Sequence, residues 1–371
     1  MTSRRQFMKH AAGATAGVYF TGCQAMASAA AMLQAPAAPK RREVMVGGRR
    51  VRTIDVHCHC YIPESWDLIK SYDKAKPLEA SLNSPEGKQL NLVSINDRLR
   101  QMDEQGIDVQ AVGLATTHFH YWAERDLAEK LGKLQNEKLA ELCAKYPDRF
   151  AGLAAVAMQH PLLAAEQLEE AIKKLGLRGV MINANINGEE LANAKFHPFW
   201  AKAESLGAFV FIHPSGVPEA DRRLQGSGRL GNVIGNPLDT TVALSHLIFE
   251  GTLDRFPGLK LCAAHGGGFL GSYIGRSDHC MDADPVCKSA KKHPSEYLKQ
   301  LYFDSLVYTG EGLRHLAAEV GAERVLLGTD YPYAMGNRDG VNHVLNTPGL
   351  SDAQKEAILG GTAAKLLRIE S

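Results

Sequence analysis

The 371-residue sequence lacks an excess of charge of either sign, because 42 Lys and Arg residues face 41 Asp and Glu residues. With no basic stripe and no acidic tail, nucleic acid is not an expected partner. The sequence also lacks coiled-coil heptads and any repeat period, which argues against fibrous and solenoid proteins. Its 45% hydrophobic and 22% charged residues are those of an ordinary globular protein.

Cysteine is scarce as well, with seven residues spread along the chain. This spacing is unlike a small disulfide scaffold. Apart from Cys23 we expect free, buried thiols, and only Cys280 and Cys287 form a pair that we would test for a bridge. The six positions are Cys58, Cys60, Cys143, Cys262, Cys280 and Cys287.

The N-terminus differs in composition from the rest of the chain. Residues 1–31 begin Met-Thr-Ser-Arg-Arg-Gln-Phe-Met-Lys and continue as a small-residue apolar run, which resembles a twin-arginine export signal. The run is too short and too rich in Ala and Gly for a membrane span. It predicts the twin-arginine export machinery as a partner and a periplasmic or exported location. Cleavage after Ala-x-Ala at residues 25–29 and a lipid anchor at Cys23 both remain open.

After a predicted linker at residues 32–50, with a short hairpin around Gly47 and Gly48, apolar runs alternate with amphipathic helical stretches. Most of these helices end at Gly or Pro, and the runs are rich in Val, Ile, Leu and Ala, as in strands buried on both faces. Eight such units predict an α/β fold, a (β/α)₈ TIM barrel, as a single domain over residues 51–371. No Gly-x-Gly-x-x-Gly turn follows the first run, which argues against a doubly wound sheet. The runs are 52–59, 108–115, 150–158, 177–184, 208–213, 259–265, 301–305 and 324–330.

Metal-competent side chains stand at the ends of four of these runs. His57 and His59 end the first, His213 the fifth, His265 the sixth and Asp330 the eighth. The carboxyl ends of barrel strands form the face that carries active sites, so these five side chains should meet. Three imidazoles and one carboxylate suit one divalent metal ion, zinc first, with manganese or iron possible. His265 is then either an acid/base beside the metal or a fifth ligand.

Residues two apart on a strand point to the same side. His57 and His59 therefore face inward together, whereas Cys58 and Cys60 are out of phase and are not expected to be ligands. Residues 59–92 and 214–235 form long connections after strands one and five. Their length without apparent secondary structure predicts lids or binding loops.

Three further polar residues are weaker candidates at the same face. His118, with His120 beside it after the second strand, either lines the pocket and binds substrate or is a solvated loop residue. Asp304 ends the seventh strand, where it either supports the metal ligands from behind or caps a turn.

The local motifs resemble the amidohydrolase superfamily over about residues 52–368, and within it the aminocarboxymuconate-semialdehyde decarboxylase branch. The His-x-His, His, His and Asp at strands one, five, six and eight carry the superfamily resemblance. The branch resemblance rests on short motifs, namely Gln101–Asp103, Gly106–Gln110, Tyr121–Ala123, Phe256–Lys260, Ala264–Gly268, Gly275-Arg276 and Gly328–Pro332.

The resemblance implies a single metal ion, His265 as the catalytic histidine, and Arg276 as a substrate-carboxylate ligand donated across a homodimer interface. Strand four ends in residues 181–185 without the lysine that a binuclear site needs. Arg276 could instead form a surface salt bridge. Ser215 stands where this branch has Trp. The expected activity is non-oxidative decarboxylation of a small unsaturated or aromatic carboxylic acid. The alternative is hydrolysis of an ester, lactone or amide.

Overall fold

A ring of eight parallel strands forms the centre of the protein in a computed structural model that describes residues 41–90 and 95–370. Each strand pairs in parallel with the next one along the chain, so the order in space follows the order in sequence. The predicted (β/α)₈ barrel is confirmed. The strands are β1 Ile54–Cys60, β2 Val109–Leu114, β3 Phe150–Ala154, β4 Gly179–Asn183, β5 Phe209–His213, β6 Lys260–Ala263, β7 Tyr302–Asp304 and β8 Val325–Leu326.

Backbone hydrogen bonds between β1 and the β8 end of the chain bring the first and last strands together. The Val56 amide donates to the Leu327 carbonyl at 2.9 Å, and the His59 amide donates to the Tyr331 carbonyl at 2.7 Å. The Asp330 amide donates back to the His57 carbonyl at 2.7 Å. Two ligand-bearing segments are therefore tied together along this seam.

In the part of the chain that the structure describes, seven longer helices connect the strands and cover the barrel. Their periodicity explains how they pack: in the helix at Gly310–Val320 the buried residues Leu313, Leu316, Ala317 and Val320 share one face. Thr309 caps the start of that helix, where its side chain accepts from the Gly312 amide. The helices are α1 Ile95–Gln105, α2 Arg125–Lys145, α3 Pro161–Lys173, α4 His197–Leu206, α5 Asn236–Phe249, α6 Leu270–Ala283 and α7 Gly310–Val320.

Shorter elements fill the connections. The long connection after β1 contains the helices Ser65–Ile69, Lys76–Asn83 and Pro85–Leu90, so the expectation of a structureless loop there is wrong. The connection after β5 holds only the short helical turns Pro218–Arg223 and Gly231–Gly235. The remaining short helices are Thr252–Arg255, Pro294–Tyr297, Gly340–Asn346, Asp352–Glu356 and Thr362–Leu367.

The predicted signal at residues 1–31 lies outside the described residues, as does the first part of the predicted linker. The last part of the predicted linker forms the expected hairpin, in which Met45–Val46 pairs antiparallel with Arg49–Arg50. Val44 and Val46 are buried in the main hydrophobic core, and residues from Arg42 onward form one compact unit. This stretch is thus part of the barrel unit and not a linker.

Cys280, at the end of α6, forms a disulfide with Cys287, so the expectation of free thiols is wrong for this pair. Four described cysteines are free, of which Cys58, Cys60 and Cys262 are buried. Within the described residues, no helix combines the length and apolar character needed to cross a membrane.

Candidate metal centre

Four side chains converge at the carboxyl end of the barrel. His57 and His59 lie on β1, His213 is the last residue of β5, and Asp330 follows β8. One potential ligand atom from each lies within 4.8 Å of all the others, and all four residues are buried. The predicted meeting of these residues is therefore observed.

The carboxylate of Asp330 lies at the centre of this group. Its Oδ1 is 3.2 Å from His57 Nε2, 3.1 Å from His59 Nε2 and 4.0 Å from His213 Nε2. Asp330 has a φ of 58°, a left-handed backbone conformation that Asp tolerates better than most residues. This turn directs the carboxylate back toward the strand ends.

Hydrogen bonds at the far nitrogen fix the orientation of each imidazole. His57 Nδ1 pairs with Asp304 Oδ2 at 2.5 Å, and His59 Nδ1 lies 3.2 Å from the Leu114 carbonyl. His213 Nδ1 lies 2.7 Å from the carbonyl of Pro214. Because each Nδ1 faces an acceptor, a proton resides on that nitrogen, and the Nε2 atom of each imidazole is turned toward Asp330.

The inward-facing atoms are the ones that lack partners. The Nε2 atoms of His57, His59 and His213 and the Oδ1 atom of Asp330 are buried without a hydrogen bond. Buried polar atoms are normally satisfied, so four unsatisfied atoms facing one point indicate a missing common partner. Three imidazoles and a carboxylate at this spacing fit a divalent metal ion.

The electrostatics favour a cation at the same point. Burial opposes charge on His57, but the carboxylates of Asp330 and Asp304 outweigh it and raise the pKa of His57 to about 10. Burial, with the neighbouring imidazoles, holds the pKa of His213 well below its usual range. Burial also lowers the pKa of His59. His59 and His213 are therefore neutral, as ligands must be.

A close approach behind the ligands requires glycine at position 328. A Cβ there would meet the Cβ atoms of Asp304 and His57 at 2.7 and 2.9 Å. Both distances are shorter than carbon atoms tolerate, so a larger residue would displace either the His57 ligand or its partner Asp304.

His265 lies beside these four residues but outside the group whose ligand atoms lie within 4.8 Å of one another. Its Nε2 is 3.9 Å from Asp330 Oδ2, and its Nδ1 is buried without a partner. His265 has a φ of 56°, and the next amide, from Gly266, donates to Asp304 Oδ1 at 2.9 Å. Asp304 therefore supports both His57 and the turn that carries His265.

A cavity of about 400 Å³ opens next to His265 and Asp330. Its walls come from the connections after β5, β6, β7 and β8, and most of the side chains are apolar. They are Asn232, Val233, Asn236, Pro237, His265, Gly268, Phe269, Leu306, Val307, Tyr308, Asp330 and Met335.

Comparison with known proteins identifies the family. A family model described as amidohydrolase matches residues 54–369. The chain belongs to the amidohydrolase family. The predicted superfamily is confirmed, and the relatives below support the predicted decarboxylase branch.

Among its relatives is the 2-amino-3-carboxymuconate-6-semialdehyde decarboxylase of Dictyostelium discoideum, which is 32% identical over 85% of this chain and 92% of its own length. The solved 5-carboxyvanillate decarboxylase of Sphingomonas paucimobilis superposes with a TM-score of 0.78 at 26% identity, covering 86% of this chain and all of that one. A dihydroxybenzoic acid decarboxylase from Polaromonas, solved with manganese and 2-nitroresorcinol, gives a TM-score of 0.74 at 28% identity over 86% of this chain and 97% of that one.

The three residues with weaker site predictions, Asp304, His118 and Arg276, differ in how they lie relative to the metal centre. Asp304 lies directly behind His57, as one of its two predicted alternatives requires. His118 is buried against the ring of Tyr61, 4.6 Å between centroids, and is not among the described residues that line the cavity. Arg276 lies on an exposed face of α6. The substrate-binding roles of His118 and Arg276 stay predictions.

Asp55 is a residue of the site that the sequence analysis missed. It is fully buried, and its Oδ1 accepts from the amides of His57 at 3.1 Å and Thr329 at 3.0 Å. Its Oδ2 accepts from the Thr329 hydroxyl at 2.7 Å. Asp55 is two residues before His57, so the same period of two that paired the histidines could have revealed it.

Proposed function

We propose that the chain is a metal-dependent, non-oxidative decarboxylase of a small aromatic or unsaturated carboxylic acid. The observation that carries this proposal is a buried centre of three histidines and one aspartate beside a mostly apolar cavity, in a chain whose relatives are decarboxylases. The cavity size of about 400 Å³ suits a ligand of one ring or similar size.

The cavity walls support a planar, apolar substrate body. Val233, Phe269, Leu306, Val307 and Met335 present apolar surface, and the polar groups are few. Apolar walls with a small number of placed polar groups are typical of small-molecule sites. The acid group of such a substrate would face Asp330 and His265, where the centre and the cavity meet.

The ion that fits the four ligands would stabilise negative charge that develops on the substrate. Zinc suits this donor set, and the related Polaromonas enzyme was solved with manganese. Metal analysis of protein purified without added metal should give about one equivalent per chain. Two equivalents would contradict a mononuclear centre.

We assign the proton transfer to His265, which lines the cavity and lies 3.9 Å from the Asp330 carboxylate. In the reaction the bond between the carboxylate carbon and its neighbour breaks, and the electron pair stays on that neighbouring carbon as carbon dioxide leaves. The carbon then takes a proton that the His265 side chain delivers. Asp304 holds the His265 turn through the Gly266 amide, which keeps the imidazole at the cavity wall.

We also propose a homodimer in which Arg276 contacts the substrate of the other subunit. Support comes from exposed apolar residues: Tyr273, three residues before Arg276 on α6, is 68% exposed, and Val233 and Phe269, which line the cavity, are 45% and 37% exposed. Apolar surface of this kind favours a protein partner. Light scattering on purified protein gives the mass, and a monomer would contradict this arrangement.

Export through the twin-arginine machinery is proposed from the order of residues 1–9 alone, and lipid attachment at Cys23 from the residues before it. The periplasm would be the expected location. The intact mass of the exported protein distinguishes cleavage near residues 25–29 from a lipidated Cys23.

The decisive experiment measures carbon dioxide release by purified, metal-loaded protein from a panel of aromatic and unsaturated acids. The same protein is tested on nitrophenyl esters and lactones. Release of carbon dioxide with at least one acid, and loss of that activity on chelation, supports the proposal. Turnover of esters or lactones without carbon dioxide would instead establish the hydrolase.

A further inference from the structure

Arg98 is a fully enclosed arginine on α1, with 2% of its surface exposed, directly behind the metal centre. Its Nη2 donates to the backbone carbonyl of His59, and its Nη1 donates to Gln110 Oε1 at 3.1 Å. One guanidinium thus holds the main chain of a metal ligand on β1.

The same guanidinium also contacts the other side of the barrel seam. Its central carbon lies 4.6 Å from the ring centroid of Tyr331, the residue after Asp330. The Tyr331 carbonyl in turn accepts from the His59 amide at 2.7 Å. Arg98 therefore touches both segments whose relative position decides whether His59 and Asp330 can share an ion.

Gln110 extends this contact to a third ligand. Its Nε2 donates to Asp55 Oδ2 at 3.3 Å, and Asp55 Oδ1 accepts from the His57 amide. A chain of buried hydrogen bonds therefore runs from Arg98 through Gln110 and Asp55 to the main chain of His57.

Burial of the positively charged Arg98 side chain at this position is energetically unfavourable. Among the described residues no carboxylate forms an ion pair with Arg98. The metal ion that the neighbouring ligands would hold adds a second positive charge close by. Burying an arginine in this way stabilises a fold poorly compared with an apolar side chain of similar size. Its planar fork nevertheless offers two directed donors and a flat face at once, which no apolar residue can provide.

We propose that Arg98 is a positioning residue for the metal centre, which sets the spacing between the β1 ligands and Asp330 across the barrel seam. The inference rests on the metal centre of the proposed function, but not on which reaction the enzyme catalyses. Loss of Arg98 should loosen the ligand set while leaving all four ligands in the chain.

The test measures Co²⁺ binding to the metal-free full-length protein, by competition with a chelator and by the visible absorption of the bound ion. Arg98→Met removes the fork and the charge, and Arg98→Lys keeps the charge but removes the fork and the flat face. Both variants should weaken Co²⁺ binding by about 10- to 100-fold, the usual effect of losing a group that orients metal ligands. Their Co²⁺ spectra should differ from that of the wild type.

Arg149→Met is the matched control. Arg149 is also buried and donates to backbone carbonyls, from Nε to Asp108 at 2.9 Å and from Nη2 to Ile107 at 3.3 Å, but at the opposite end of the barrel. This variant should lower the melting temperature and leave the Co²⁺ dissociation constant within about twofold of the wild type.

Wild-type affinity and spectrum in either folded Arg98 variant would overturn the proposal, as would an equal loss of affinity in Arg149→Met. Should Arg98→Met not fold, Arg98→Lys alone decides. A wild-type protein that binds no Co²⁺, Zn²⁺ or Mn²⁺ would overturn the metal centre itself. A wild type that binds metal normally beside unaffected Arg98 variants would overturn only the role of Arg98.

Discussion

Replacing Asp304 by asparagine should weaken metal binding indirectly. The substitution leaves the ligand His57 in place but changes which of its two ring nitrogens carries the proton. Both carboxylate oxygens of Asp304 accept hydrogen bonds: Oδ2 from His57 Nδ1 at 2.5 Å, and Oδ1 from the amides of Gly266 at 2.9 Å and Leu306 at 3.1 Å. Asparagine has only one accepting oxygen, so one side must lose its partner.

The two backbone amides cannot become acceptors, whereas the histidine can. The asparagine oxygen should therefore face Gly266 and Leu306, which leaves its NH₂ group opposite His57 Nδ1. His57 then has to accept at Nδ1 and carry its proton on Nε2. That proton occupies the atom that would bind the metal, 3.2 Å from Asp330 Oδ1.

We expect the dissociation constant for Zn²⁺ or Mn²⁺ to rise by about 100-fold, or about 2.7 kcal/mol, at the upper end of the effect of orienting groups. Isothermal titration of metal-free protein measures it. Asp108→Asn is the control, because Asp108 is also buried and accepts from the Thr53 amide at 2.9 Å, at the other end of the barrel. Unchanged metal affinity in Asp304→Asn would refute the tautomer argument.

Three further outcomes are expected. His265→Ala should keep one metal equivalent and lose turnover of the acid substrate, and metal analysis showing a lost ion would make His265 a ligand instead. Arg276→Ala should raise KM for carboxylate substrates by about 10-fold or more, as expected when a charged hydrogen bond is lost. An unchanged KM would show that Arg276 is a surface residue without a role in substrate binding. Burial holds the pKa of His118 at about 3, below its ordinary 6.5, so the unfolded chain binds the proton first and stability falls as pH drops from 6.5 toward 3. At pH 5 the low pKa of His118 reduces the free energy of unfolding by about 2 kcal/mol. In urea unfolding of metal-free protein, His118→Phe should therefore lose less stability between pH 7 and pH 5 than the wild type. An equal loss in both proteins would disprove this prediction.

The architecture and the ligand set were accessible from the sequence because both follow short-range rules. Continuous apolar runs separated by amphipathic helices indicated the eight strands, and strand ends indicated where His213 and Asp330 lie. The ends of the strands were less accurate. The last run was expected to reach residue 330, but β8 is Val325–Leu326, because the next amide, of Leu327, bonds to the carbonyl of Ile358 at 2.8 Å.

Features that depend on contacts across the chain could not be predicted in this way. Arg98 looks like an ordinary helix residue until β8 brings Tyr331 against it. The helices after β1 were missed because Pro63, Pro77 and Pro85 suggested loops, although Pro77 and Pro85 stand in the first turns of helices, where proline is tolerated. The Cys280–Cys287 pair was singled out from the sequence, but whether it forms a bridge depends on the local turn of the chain after α6.

The seam between β1 and the β8 segment has a consequence for biosynthesis. His57 and His59 are synthesised some 270 residues before Asp330, so a nascent chain has no complete set of four ligands until these further residues are made. Metal binding at this centre would therefore require a completely folded barrel. Because an ion that binds only the closed ring favours it by mass action, metal supply during synthesis would increase the fraction of folded protein.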